Sequence, residues 1–206
     1  MKQVTLLLSF GLLIISCKIA SSELMSEKQR KEKMYFPSSK NESNKEANDT
    51  LNDFVNQWYS KHLYSLKEPI LYDKTKKGLY IFRYTNLGTW SQPYSYRIEF
   101  KDSVVTIEYK RTNGQGGYTA GRLIEKQKQT LKIDTWKRLI EKVGSVRFWE
   151  MQTQDKNIIL DGEEWILEGL YNEKYHFITR RSPDVYDGKD YAELCKLFIE
   201  LYNSKK

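Results

Sequence analysis

The sequence predicts an α+β fold, with one antiparallel sheet of about five to seven strands packed against three helices in the order helix, strands, helix, hairpin, helix. Three observations carry this expectation. Several segments alternate with period two, as in residues 94–100, where Tyr94, Tyr96, Ile98 and Phe100 fall on one side and Ser95, Arg97 and Glu99 on the other. Three other segments repeat apolar residues at helical spacing. The 15 Tyr, 8 Phe and 5 Trp suit strands and oppose general disorder. Residues 48–206 are enough for one domain with its own core.

Asn48 or Asp49 is the expected cap of a first helix over about 50–65, with Leu51, Phe54, Val55, Trp58, His62 and either Leu63 or Leu66 on its apolar stripe. It ends before Glu68-Pro69, because the residue before proline disfavours the α region. His62 reads as a packed or rim histidine. Residues 70–72 read as a short strand or ordered loop, and 79–84 as a strong strand. Asn86 to Trp90, with Ser91-Gln92-Pro93, interrupt that strand. The strand over 94–100 turns through Lys101-Asp102-Ser103 into another over 104–111, which puts Val105, Ile107 and Tyr109 on one face.

The glycine-rich run Asn113-Gly114-Gln115-Gly116-Gly117-Tyr118-Thr119-Ala120-Gly121 lacks the Gly-Lys-Ser/Thr ending of a phosphate loop and the spacing of a dinucleotide fingerprint. It reads as a long flexible hairpin loop, with Tyr118 as a candidate contact residue. A strand over 122–131 follows. Asp134 or Thr135 caps a second helix bearing Trp136, Leu139, Ile140 and Val143, closed by Gly144, and Phe148-Trp149 plugs the core behind it.

Asp161-Gly162 signals a turn into the last hairpin. A two-residue connection at Asn172-Glu173 sets Leu170 opposite Tyr175 and Trp165 opposite Arg180. Trp165, Leu167, Gly169, His176, Ile178 and Arg180 then share one face, with a cation–π contact between Trp165 and Arg180 and open space over the His176 imidazole beside Gly169. Asp161, Glu163 and Glu164 are the nearby acids. The last helix starts near Asp190 and buries Tyr191, Leu194, Cys195, Phe198 and Leu201. The helices bearing Trp58 and Leu194 are expected to cover one face of the sheet together, leaving the other face or its rim more polar and aromatic.

The N-terminus sets the address. Lys2 precedes a nearly continuous apolar run from Val4 to Ile15, which is too short to span a ~30 Å hydrocarbon core. It has the length of a secretory h-region. Its exit, Leu13-Ile14-Ile15-Ser16-Cys17, resembles the bacterial lipobox. That resemblance implies cleavage before Cys17, a thioether-linked diacylglycerol on its sulfur and acylation of the new amine. At ~0.8 kcal/mol per buried CH₂, two or three chains anchor firmly. The reading divides the chain into a signal peptide (1–16), the lipidated Cys17 with a disordered tether (17–47) and the domain (48–206). The protein would sit on the exported side of the envelope. Lys18, where an aspartate would favour inner-membrane retention, leans toward the outer membrane in a Gram-negative cell. Of the two cysteines, Cys195 would then be an unpaired core thiol.

The 34 Lys and Arg against 27 Asp and Glu leave a modest +7. That is a soluble charged surface with some attraction for anions, and nucleic acid is not an expected partner of an exported chain. Two histidines and one spare cysteine make no metal signature. There is no Gly-x-Ser-x-Gly elbow, so no catalytic residue, metal site or cofactor is assigned.

Phe54-Val55-Asn56-Gln57-Trp58-Tyr59-Ser60, Leu66-Lys67-Glu68-Pro69, Gly116-Gly117-Tyr118, Phe148-Trp149, Asp161-Gly162-Glu163-Glu164-Trp165 and Arg180-Arg181-Ser182-Pro183 resemble a family of uncharacterised bacterial envelope proteins. The resemblance implies one α+β domain and carries no catalytic residues. The expected function is a noncatalytic envelope lipoprotein, held to the membrane by its lipid, that binds a protein or an envelope polymer. Tyr118, Trp165, His176 and Arg180 are the candidate contacts. A small hydrolase or lyase acting near His176 and Arg180 is the alternative.

Overall fold

Alternation of apolar and polar side chains, repeated strand after strand, builds a sheet that must be covered, and in this protein both faces are. The computed structural model describes residues 34–38, 50–74, 78–154, 162–186 and 188–204. The expected signal peptide, Cys17, Asn48, Asp49 and Asp161 lie outside them. Six antiparallel strands, β1 (Tyr80–Gly88), β2 (Tyr94–Lys101), β3 (Val104–Thr112), β4 (Leu123–Leu131), β5 (Glu163–Tyr171) and β6 (Lys174–Arg181), lie in the order β4-β3-β2-β1-β5-β6. With α1 (Asp53–Ser65), α2 (Ile133–Ser145) and α3 (Lys189–Asn203) they make the α+β fold that the patterns predict. None of these helices is long and apolar enough to cross a membrane.

The hairpin registers follow the sequence. Leu170 pairs with Tyr175 and Trp165 with Arg180. Asn172 and Glu173 adopt φ of 48° and 65°, as do Asp102 and Ser103 at 49° and 63° between β2 and β3. Two left-handed residues in a two-residue connection match the right-handed twist of the flanking strands. β1 does not stop where Asn86 suggested. Asn86, Leu87 and Gly88 stay paired with Trp165, Glu164 and Glu163 of β5. The Asn86 amide donates to Glu163 Oε2 at 2.9 Å, so this polar residue has a partner inside the sheet.

Phe82, Tyr84, Ile98, Ile107, Trp165, Leu167 and Ile178 face α2 and α3, whose Trp136, Leu139, Val143, Leu194, Cys195 and Phe198 complete the larger core. Phe148 is fully buried there, as expected. The opposite face carries Leu87, Ile166 and Phe177, covered by Tyr59 and Leu63 of α1. The helices bearing Trp58 and Leu194 therefore take opposite faces, which corrects the expectation that they share one. Phe54, expected on the buried stripe of α1, is 78 % exposed, while Asn56 and Ser60 are buried. The cause lies in residues 34–38. Asn56 Nδ2 donates to Phe36 O at 2.7 Å, and the Tyr35 backbone N–H donates to Ser60 Oγ at 2.8 Å. Tyr35 and Phe36 are buried in the α1 core, so the folded unit begins inside the stretch expected to be tether.

Helix ends also moved. Asn52 caps α1, accepting from the Val55 N–H at 3.0 Å. Lys132 occupies the N-cap of α2 with no side-chain bond, and Arg147 at φ 56°, rather than Gly144, takes the left-handed turn after it.

Candidate functional site

On the α1 side of the sheet, strand alternation brings charges inward. Arg83 and Glu168 are cross-strand partners on β1 and β5, and both are fully buried. Arg83 Nε donates to Glu168 Oε2 at 2.7 Å, and Arg83 Nη1 donates to Pro69 O at 2.7 Å. Glu68, buried beside Pro69, lies 2.9 Å from Lys110 Nζ, 3.1 Å from Arg97 Nε and 3.4 Å from Arg83 Nη1. Glu108 closes the set, 3.2 Å from Lys110 and paired with Arg97. Burial works to raise Glu68, but Arg83, Arg97 and Lys110 together hold it below the usual carboxylate range. Burial also opposes ionisation of Glu108, yet the Arg97 hydrogen bond and Lys110 hold it down at about 2. Glu168, with burial acting against one main cation, sits above its ordinary value. Every acid in this network touches a base, and Arg83 Nη2 and Arg97 Nε take part through ion-pair proximity without a hydrogen bond. Its evident work is to clamp the segment after α1 onto the sheet.

The glycine-rich run occupies the far end of the same face. It is pinned rather than loose. Gly116 N–H donates to Gly88 O at 3.0 Å, Gly117 N–H to Thr89 O at 3.2 Å, and Trp58 Nε1 to Gly116 O at 2.8 Å. A Cβ at Gly116 would stand 2.5 Å from the Leu87 carbonyl carbon, so the close approach requires glycine. Lys61 Nζ donates to Tyr118 O at 3.1 Å.

This scaffold presents an aromatic ledge. Trp90 is 72 % and Tyr118 50 % exposed, and their rings pack at a tilt with centroids 4.9 Å apart. Gly117 joins that pair to a hollow of about 410 Å³ lined by Phe54, Gln57, Trp58 and Lys61. The Arg181 guanidinium lies 6.0 Å over the Trp58 ring. Large exposed aromatic rings held on a rigid frame are costly to leave in water and commonly mark an interaction surface. Beneath the ledge His62 is fully buried, and burial, with repulsion from Lys61, lowers its pKa to about 4 against the opposing pull of the Gly116 backbone.

The four candidate contacts named from the sequence do not assemble. Tyr118 is on the ledge. Trp165 is buried, with Nε1 donating to Glu163 Oε2 at 3.1 Å. His176 is 5 % exposed, and its Nε2 lies 3.0 Å from Met151 O. The expected space over its imidazole is filled: a Cβ on Gly169 would meet Phe148 and Phe82 at 2.7 Å, and Phe148 packs edge-on against His176. Arg180 pairs with Trp165 in register but donates to the carbonyls of Thr179 at 2.7 Å and Gln152 at 2.8 Å, and its guanidinium lies over Tyr191 rather than Trp165. Glu164 points to the other face, 3.4 Å from Arg181. Arg180 lines a groove of about 550 Å³ with Tyr186 and Asp190, and His176 does not line it. The described residues hold no group of three or more metal-ligating side chains. Phe54, Trp58 and Trp90 were not singled out as contacts from the sequence. Phe54 and Trp58 fell on an apparent apolar stripe, and only the strap at Tyr35 and Phe36 reveals which side of α1 is free. Cys195 is a buried thiol whose pKa burial pushes up.

Compared with known protein families the chain matches none, and no curated protein matches its sequence.

Proposed function

We propose that this protein is an envelope lipoprotein, anchored through a lipidated Cys17, whose domain binds a partner through the aromatic ledge of Trp90, Tyr118, Trp58 and Phe54. The observation that carries the binding reading is the exposed, tilted Trp90–Tyr118 ring pair where the β1–β2 connection meets the backbone-pinned glycine loop. A platform that needs no reordering loses little entropy on binding. The anchoring reading rests on the run Leu13-Ile14-Ile15-Ser16-Cys17, and the exported location follows from it.

Two measurements test the two halves. Radiolabelled fatty acid should enter the wild-type chain in bacterial cells and not Cys17→Ala; equal labelling would end the anchoring reading. A photo-reactive phenylalanine analogue placed at position 118 should crosslink a cell component that the same probe at exposed Val185 does not. Identical products from both positions would end the ledge reading.

A further inference from the structure

We infer that the ligand of this ledge is an acidic polysaccharide, its sugar rings stacked on the Trp90–Tyr118 pair and its carboxylates facing Lys61. The inference rests on the ledge being the binding surface and adds the chemical class of what it binds. A pyranose ring has an apolar face of C–H bonds and a polar rim, and it lies flat on an exposed aromatic ring. Trp90 and Tyr118 offer such faces at the open surface, 4.9 Å apart and tilted by 41°, rather than a deep recess shaped for one side chain.

The adjoining hollow repeats the arrangement on a smaller scale. Phe54 and Trp58 supply ring walls, and Gln57 supplies an amide for ring hydroxyls. Lys61 is the sole charged residue among those lining it. Its nitrogen bonds a backbone carbonyl, and among the described residues it has no carboxylate partner, so its charge is available to an incoming anion. Arg181, over the Trp58 ring, is already paired with Glu164, which leaves Lys61 as the charge that faces the ligand. The chain as a whole is basic, at +7, which attracts a polyanion from a distance. Rings for stacking with the Lys61 charge beside them match a polymer that carries both sugar faces and negative charge.

The test is affinity electrophoresis of the full chain in gels containing hyaluronate, alginate or polygalacturonate, each run beside its carboxyl-reduced neutral form. At least one acidic polymer should retard the protein. Carboxyl reduction should weaken that retardation at least tenfold, Lys61→Gln should weaken it severalfold, and Trp90→Ala should abolish it, with both variants keeping the wild-type circular dichroism. Failure of every acidic polymer, or equal retardation by the neutral forms, overturns the inference. If the photo-reactive probe at position 118 captures a protein while no polysaccharide binds, the ledge remains a binding surface and the polysaccharide assignment falls. Retardation of Trp90→Ala equal to wild type removes both.

Discussion

Replacing Arg83 with methionine should be among the most damaging single changes in the domain, and its cost should largely disappear when Glu168 is replaced as well. In the Arg83→Met protein the Glu168 carboxylate stays fully buried with only the Tyr175 hydroxyl, 3.1 Å away, to stabilise its charge. Leaving one charge of a buried pair without its partner costs about 3–5 kcal/mol. For a domain of this size each kcal/mol moves the midpoint by roughly 2–4 °C, so the melting temperature should fall by about 10 °C. Pro69 O also loses its donor, at about 1 kcal/mol, and that loss persists in any Arg83 variant. Arg83→Met/Glu168→Met removes one positive and one negative charge, and Glu68 keeps Lys110 and Arg97 at 2.9 and 3.1 Å. The double variant should lie within about 2 kcal/mol of wild type, giving a coupling energy of at least ~2 kcal/mol. Urea unfolding at pH 7, followed by tryptophan fluorescence and by circular dichroism, measures each corner of the cycle. Additive losses in the double variant, or a loss below about 1 kcal/mol for Arg83→Met, would refute the reasoning.

Acid should weaken the domain through His62. The unfolded imidazole binds a proton below about 6.5 and the folded one only below about 4, so the unfolded state holds more protons between those values and stability falls as pH drops through that window. The loss between pH 7 and 4.5 should be about 2 kcal/mol, and it should be absent from His62→Leu, as urea unfolding at the two pH values would show; parallel losses in both proteins would count against it. Gly169→Ala should destabilise by about 1–3 kcal/mol, because the added methyl meets the Phe148 and Phe82 rings at 2.7 Å inside a packed core; an unchanged urea midpoint would mean that both rings yield freely.

What could be read from the sequence was whatever depended on periodicity and turn chemistry. β2 and β3 alternate cleanly, and the Asn172-Glu173 connection fixes the β5–β6 register residue for residue, whereas the β2–β3 connection is one residue shorter than expected, because Lys101 pairs with Val104. What escaped was pairing between distant segments. Asn56 and Ser60 look solvated on α1 until Tyr35 and Phe36 are seen to use them. Arg83, Glu68 and Glu168 are far apart in the chain, and each alone reads as a surface charge. Only the β1–β5 pairing and the packing of the post-helix segment make them a buried set. The ledge was half legible. Tyr118 and its glycines were conspicuous, but Trp90 lay in a stretch that looked like a simple interruption, and the exposed side of α1 depends on the strap. Trp165 and His176 do share one face, and that face is the core.

β4 closes one side of the sheet as an edge, and its sequence bears on behaviour at high protein density. Leu123–Leu131 is largely exposed and carries Lys126 and Lys128 next to each other in the outward pattern. Molecules confined to a surface meet edge to edge far more often than molecules in dilute solution. A second β4 pairing there would bring ammonium groups into the same short stretch of ladder, where like charges repel. The other edge, β6, gives its Thr179 N–H to Thr153 O at 2.7 Å and so already has part of its ladder occupied. Crowded copies are thereby discouraged from fusing their sheets.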